Sequence, residues 1–179
     1  MTSIEPVEFS DVLREEAVDY VFAREAIPAY SFAEVSALDV SKPSGVTVED
    51  LKLVTRHNLV GLEEAFYKAE QDYGVNALFV LGIASHESAY GTYCFRPNNL
   101  FGYGRKGYSS KAECIDVVAR GLANNYLRPG ASLYNGNTIN SVNKRYAADP
   151  GWDRKVAKKV AGFYQTISER HNSQLNKLR

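Results

Sequence analysis

Glu87 closes an eleven-residue run, Ala77-Leu-Phe-Val-Leu-Gly-Ile-Ala-Ser-His-Glu87, that holds no other acidic residue. A carboxyl group beside an apolar core tends to keep its proton, because desolvation disfavours the charged form. Glycoside hydrolysis needs such a group to protonate the leaving oxygen. The same pattern also suits a helix-end glutamate that reaches solvent or meets an arginine, and the run by itself leaves both readings open. Other chemistries find less support. His86-Glu-Ser-Ala-Tyr90 has tyrosine where a zinc helix needs its second histidine. His57, His86 and His171 share no ligand spacing, and His86 reads as a helix-end residue. The chain has no Cys-x-x-Cys pair, phosphate loop or dinucleotide fingerprint, and Gly102-Tyr-Gly104 carries no nucleotide signal. No metal and no cofactor are therefore expected.

The element that must carry Glu87 is the run itself. It is apolar on every side, which predicts a buried central helix capped by Asn76. Its Ala, Leu and Gly content favours helix over strand. Around it, residues 10–23 read as a helix with Leu13, Ala17, Tyr20 and Val21 on one face. Residues 24–46, punctuated by Pro28, Pro43 and Gly45, read as a loop. Thr47-Val-Glu-Asp50 resembles a capping box. A helix over 59–73 follows, with Leu59, Leu62, Phe66 and Ala69 as its stripe and Gly74 as its stop. Residues 91–109, rich in Gly, Asn, Tyr and Arg, read as a loop or small hairpin. Ser110-Lys-Ala-Glu113 is a capping box opening a helix with Ile115, Ala119, Leu122 and Tyr126 inward, stopped at Arg128-Pro-Gly130. Ile139, Val142 and Tyr146 predict a shorter helix. A last helix starts near Asp149-Pro150, with Trp152, Val156, Val160, Phe163 and Ile167 inward and fraying after Glu169. The expected architecture is mainly α: six or seven helices around a buried central one, with at most a small β-hairpin lobe.

The whole chain sets bounds on function. Its 179 residues are enough to bury a core without staples, and 45% hydrophobic with 23% charged residues is ordinary for a globular protein. Lys+Arg and Asp+Glu number 21 each, so no strong non-specific grip on nucleic acid is expected. No stretch approaches the length of a membrane span. Arg105-Lys106 reads as a solvated loop able to contact a glycan or an anionic wall polymer. Cys94 and Cys114 read as free thiols or as a pair; spacing does not decide.

Several ordered motifs carry a resemblance. Leu81-Gly-Ile-Ala-Ser-His-Glu-Ser-Ala-Tyr-Gly-Thr92, followed by Asn98-Asn-Leu-Phe-Gly102, resembles the signature of the family 73 glucosaminidases, bacterial and phage peptidoglycan hydrolases. Ser41-Lys-Pro-Ser-Gly-Val-Thr47 and Tyr73-Gly-Val-Asn76 resemble segments upstream of it. Tyr146-Ala-Ala-Asp-Pro150, with Trp152 and Val156, resembles the family's closing Tyr-x-x-Asp-Pro motif. The resemblance spans about residues 41–164 and implies a lysozyme-like fold. It implies a catalytic acid at Glu87 and a groove-facing tyrosine at Tyr146, a hydrogen-bond donor to substrate or to a charged intermediate. Asn98, Asn99 and Phe101, with Gly102, match the loop that shapes the groove floor. Tyr90, Asn98, Asn99, Phe101 and Tyr103 are accordingly expected to bind substrate. The Asn pair also suits turn chemistry, and Tyr146 the core of a short helix.

The sequence departs from the family in two places. Ala89 and Tyr90 stand where Gly and Trp are usual. Many members also carry a second carboxylate on a hairpin lobe, where this chain has Tyr-Gly-Arg-Lys-Gly-Tyr between Gly102 and Ser109. The next acid, Glu113, is a possible second carboxylate but suits the capping box better; Asp116 reads as surface and Asp149 as a helix cap.

The resemblance implies cleavage of the β-1,4 bond after N-acetylglucosamine in peptidoglycan glycan strands. A muramidase or lytic transglycosylase on the same fold is the alternative, and a catalytically inactive wall-binding or virion protein the alternative from another class. With no signal peptide and no wall-binding repeat, the expectation is a phage or prophage lysin, made in the host cytoplasm and acting on the wall. Residues 1–40 would then be an N-terminal extension able to meet virion or tail proteins, 41–170 the catalytic domain and 171–179 a polar tail.

Overall fold

The computed structural model describes residues 27–178. The helix expected over 10–23 lies outside them. Among the described residues the fold is mainly α, as expected. It comprises α1 (Phe32–Ala37), α2 (Val48–Lys52), a 3-10 turn (His57–Leu59), α3 (Glu63–Tyr73), α4 (Ala77–Glu87) and α5 (Lys111–Gly121). A π-helical segment (Leu122–Leu127), α6 (Ile139–Tyr146) and α7 (Trp152–Leu178) complete it. No strand occurs among the described residues, so residues 91–109 form a loop and not a hairpin.

Helix α4 is the buried centre. Residues 77–85 are all buried, and Asn76 Oδ1 accepts the Phe79 N–H at 2.9 Å to cap the helix. Helix α7 packs along α4 over Gly82. A Cβ there would stand 2.7 Å from Val160 Cγ2 and 3.4 Å from Val156 Cγ1, so glycine makes room for the valines of α7. The stripe of Trp152, Val156, Val160, Phe163 and Ile167 is buried as its period implies.

A buried acid anchors the N-terminal end of α4. Glu70, 1% exposed on α3, accepts Ala77 N–H at 2.6 Å, Ser44 N–H at 2.7 Å, Ser44 Oγ–H at 2.6 Å and Gly45 N–H at 3.2 Å. The carboxylate thus ties the 41–46 loop to the first turn of α4, where the helix dipole favours negative charge.

Four details differ from the sequence reading. The segment 24–46 is not all loop. Ser31 and Glu34 form a capping box that starts α1, whose Val35 is fully buried, and α1 packs on α7. Six residues are too few to display a period; tertiary packing decides such a helix. The helix expected from Leu59 starts instead at Glu63, because Gly61, at φ +88°, breaks the path after the 3-10 turn. Beyond Gly121 the chain widens into the π segment, keeping Leu122 and Tyr126 inward. Helix α7 does not fray after Glu169 but continues to Leu178, and His171 Nε2 meets the Asp50 carboxylate on α2 at 2.7 Å.

Cys94 and Cys114 are both free. Burial of Cys114 pushes its thiol up to about 11, so it stays protonated and inert near neutral pH. Among the described residues no helix is long and apolar enough to cross a membrane.

Candidate active site

Glu87 stands on the last turn of α4, and the chain turns sharply beyond it. Ser88 Oγ donates to Ala84 O at 2.7 Å and accepts Gly91 N–H at 2.9 Å, stapling the turn. Ala89, Tyr90 and Gly91 are consecutively left-handed, at φ +46°, +57° and +76°. Only the last is glycine, so Ala89 and Tyr90 hold a conformation that side chains disfavour. The departure from the family pattern at Ala89 thus falls where glycine is cheapest. The turn is tied to Asn58, whose N–H donates to Tyr90 O at 3.1 Å and whose Nδ2 donates to Gly91 O at 3.2 Å.

The sequence reading leaves Glu87 either beside the apolar core or at a helix end reaching solvent. The structure has the second: its neighbours along α4 are buried, but the Glu87 side chain is exposed. The helix ends as it emerges from the core, so the carboxylate clears the apolar run that announced it. What holds it is polar. Trp152 Nε1–H, at the start of α7, donates to Glu87 Oε1 at 2.6 Å. Oε2 lies against the 98–102 loop, where a Cβ built on Gly102 would stand 3.7 Å away.

The Asn98-Asn99 pair builds that loop. Asn98, at φ +58°, donates through Nδ2 to Tyr108 O (3.0 Å) and Ser109 O (3.2 Å). Asn99, 2% exposed, donates to Tyr103 O (2.9 Å) and Lys106 O (3.0 Å) and accepts from Phe101 N and Tyr103 N. Both amides are therefore engaged in shaping the loop. Phe101 is buried, and its carbonyl accepts the Tyr146 hydroxyl at 3.3 Å.

Tyr146 joins a cluster of rings. Its centroid lies 5.1 Å from Trp152, 5.6 Å from Tyr126 and 6.4 Å from Tyr103, the last pair nearly parallel. Burial, and then the negative charge of Glu87, hold the Tyr146 phenol well above its ordinary range, so it remains a donor. The Tyr103 hydroxyl packs over Gly121, where a Cβ would stand 2.7 Å from it. Tyr90 sits apart from this cluster: its ring has Lys159 Nζ at 4.6 Å and the edge of His57 at 5.9 Å.

The other acids are engaged elsewhere. Glu113 Oε2 accepts Ser109 N–H at 2.7 Å and Ser109 Oγ–H at 2.6 Å, while Glu113 N–H donates to Ser110 Oγ at 3.0 Å. The return arm of the expected box thus closes on Ser109, one residue earlier. Hydrogen bonds from the Ser109 hydroxyl and then its backbone hold Glu113 below the usual carboxylate range. Asp116 accepts the Tyr73 hydroxyl at 2.5 Å, and Asp149 accepts Gly151 N–H at 2.8 Å and pairs with Lys155 at 2.6 Å. His86 is half-buried. Desolvation pushes it down against the pull of Glu87, with Lys155 and Lys159 adding to the downward shift, so its ring is neutral at pH 7. No cluster of three or more His, Cys, Asp or Glu suited to a metal occurs among the described residues.

Trp152 is the site residue that sequence reasoning missed; its place on the α7 stripe marks it as core. The available signal was chemical, since a buried indole N–H needs an acceptor.

The fold is an α scaffold that presents the exposed Glu87 carboxylate between the Trp152 indole donor and the loop built by Asn98 and Asn99. The chain belongs to the glucosaminidase family, described as mannosyl-glycoprotein endo-beta-N-acetylglucosaminidase, whose model matches residues 63–165. It is also similar to two Streptococcus pneumoniae proteins, from strains TIGR4 (serotype 4) and R6, each named "Putative endo-beta-N-acetylglucosaminidase". Both are 34% identical over 104 residues, covering 51% of this chain. The match spans only 16% and 14% of the relatives' own length.

Proposed function

We propose that this protein is a peptidoglycan hydrolase that cleaves the β-1,4 glycosidic bond after N-acetylglucosamine, with Glu87 as general acid. The observation that carries the reading is the exposed Glu87 carboxylate at the end of the buried helix, within the region matched by the glucosaminidase family. Glu87 donates its proton to the glycosidic oxygen as the C1–O bond breaks, and positive charge develops on the sugar ring. The Tyr146 hydroxyl, kept protonated, swings its one proton from the Phe101 carbonyl toward substrate or that intermediate. Tyr90 and Tyr103 supply ring faces for sugars, and the Asn98-Asn99 loop sets the floor.

The second half of the reaction is not assigned to Glu113, whose carboxylate is committed to Ser109. The substrate's own N-acetyl oxygen attacks C1 in its place, and water then breaks that new C1–O bond, giving its proton to the Glu87 carboxylate and restoring the N-acetyl group; a water attacking C1 directly would lose its proton to solvent. Digestion of purified peptidoglycan tests the reading. Fragment masses with N-acetylglucosamine at the reducing end are expected, and no lysis with Glu87→Gln. Reducing-end or anhydro-muramic acid would overturn the linkage assignment. Lysis retained by Glu87→Gln would overturn the acid, and no lysis by the wild-type protein would leave a wall-binding role.

A further inference from the structure

We propose that Trp152 is a positioning residue that pins Glu87 by Oε1 and makes Oε2 the oxygen that hands the proton to the leaving group. The proposal rests on the reading of Glu87 as the acid. A glutamate at an exposed helix end has three side-chain torsions free to turn, and proton transfer requires one orientation. Trp152 is placed to remove that freedom. It is 2% exposed, it is the first residue of α7, and its ring packs 5.1 Å from that of Tyr146. The chain just before it is held by Gly151 N–H on Asp149 Oδ1 at 2.8 Å. A rigid ring therefore presents its N–H to Glu87 Oε1 at 2.6 Å.

The chemistry of the donor separates the two oxygens. An indole N–H donates and never accepts. The oxygen facing it is therefore the acceptor in both ionisation states, the carbonyl oxygen when Glu87 is protonated. The acidic proton then sits on Oε2. Among the described residues no hydrogen bond reaches Oε2, and the nearby position 102 is glycine; a Cβ there would stand 3.7 Å from Oε2 and cover that side of it. The oxygen with the proton is thus the oxygen with room for substrate.

Trp152 is the only tryptophan of the chain, so its emission reports on this contact directly. The other titratable groups around the pair are His86, Asp149, Lys155, Lys159 and Tyr146. Tryptophan fluorescence is followed against pH for the wild type and for Glu87→Gln. We expect an emission change in the wild type that is lost in Glu87→Gln; emission that titrates alike in both, through His86 or another neighbour, overturns the proposal. Trp152→Phe keeps an aromatic ring, though a smaller one, and removes the donor. It should lower kcat about 10- to 100-fold on glycan strands with KM within about twofold. Wild-type kcat in a folded Trp152→Phe protein overturns the proposal. Should Trp152→Phe fail to fold, the fluorescence comparison decides, since it leaves position 152 intact. Activity retained by Glu87→Gln would instead refute the acid assignment, whatever the emission shows.

Discussion

The two ends of the central helix each meet a carboxylate, and the pair are opposites. At the N-terminal end Glu70 is buried and accepts four hydrogen bonds, from Ala77, twice from Ser44 and from Gly45. At the C-terminal end Glu87 is exposed and accepts one, from Trp152. Both are single acids next to the same apolar run. Burial and hydrogen bonding separate their roles: a carboxylate enclosed by four donors can hold a structure but is not presented to a substrate. Burial, one of the two readings the sequence left open for the chemical acid, belongs to the structural one.

Exchange of each acid for its amide would break this contrast if it is misplaced. Glu87→Gln should cost about 10²- to 10⁴-fold in wall lysis, the scale of a lost general acid, with the thermal midpoint unchanged. Turbidity clearance and calorimetry on one sample check both halves. Glu70→Gln should do the reverse. It places an amide N–H₂ against backbone donors and leaves part of the network unpaired, costing about 3 kcal/mol, or roughly 10 °C in Tm. Activity per folded molecule should hold. Loss of lysis without loss of stability in Glu70→Gln would erase the distinction.

The turn after Glu87 offers a smaller effect of opposite sign. Ala89 sits at φ +46°, where glycine is favoured. Ala89→Gly should raise stability by about 1 kcal/mol, measured by urea denaturation. Unchanged or reduced stability would mean that the alanine conformation carries no strain.

The smallest expected effect concerns Glu113. Its folded-state pKa is depressed by the Ser109 hydroxyl and then the Ser109 backbone. The stability it contributes is present above the unfolded value, about 4.3, and is lost as pH falls through the folded value. Glu113→Gln should therefore lower Tm slightly at pH 7, lose that difference in acid and leave wall lysis unchanged. Lysis as deficient as in Glu87→Gln, with the fold preserved, would return Glu113 to the chemistry.

Much of the helical framework was legible because it rests on short-range patterns. The eight apolar residues 77–84 of α4 and the five-residue stripe of α7 state their burial in sequence. Thr47 with Asp50 and Asn76 with Phe79 state where helices begin through caps that span three residues. α1 was missed although Ser31-Phe-Ala-Glu34 spells a capping box, because its six residues show no period and gain their stability from α7. The late turns of α7 were missed for a similar reason: His171 meets Asp50 across 121 positions of sequence.

By itself, then, the sequence determined the helical class, the central helix, the place of Glu87 at its end and the family to which the chain belongs. These depend on local periodicity, on capping chemistry and on motifs in order. Only the tertiary structure decided what surrounds Glu87. It brought Trp152 to its carboxylate across 65 positions, set Gly102 beside the other oxygen and drew Tyr146 into the ring cluster. It also decided between the two readings of Glu87, exposing the acid at the helix end. Hydrogen-bond partners and side-chain exposure arise from packing between distant segments, and no pattern along the chain encodes them.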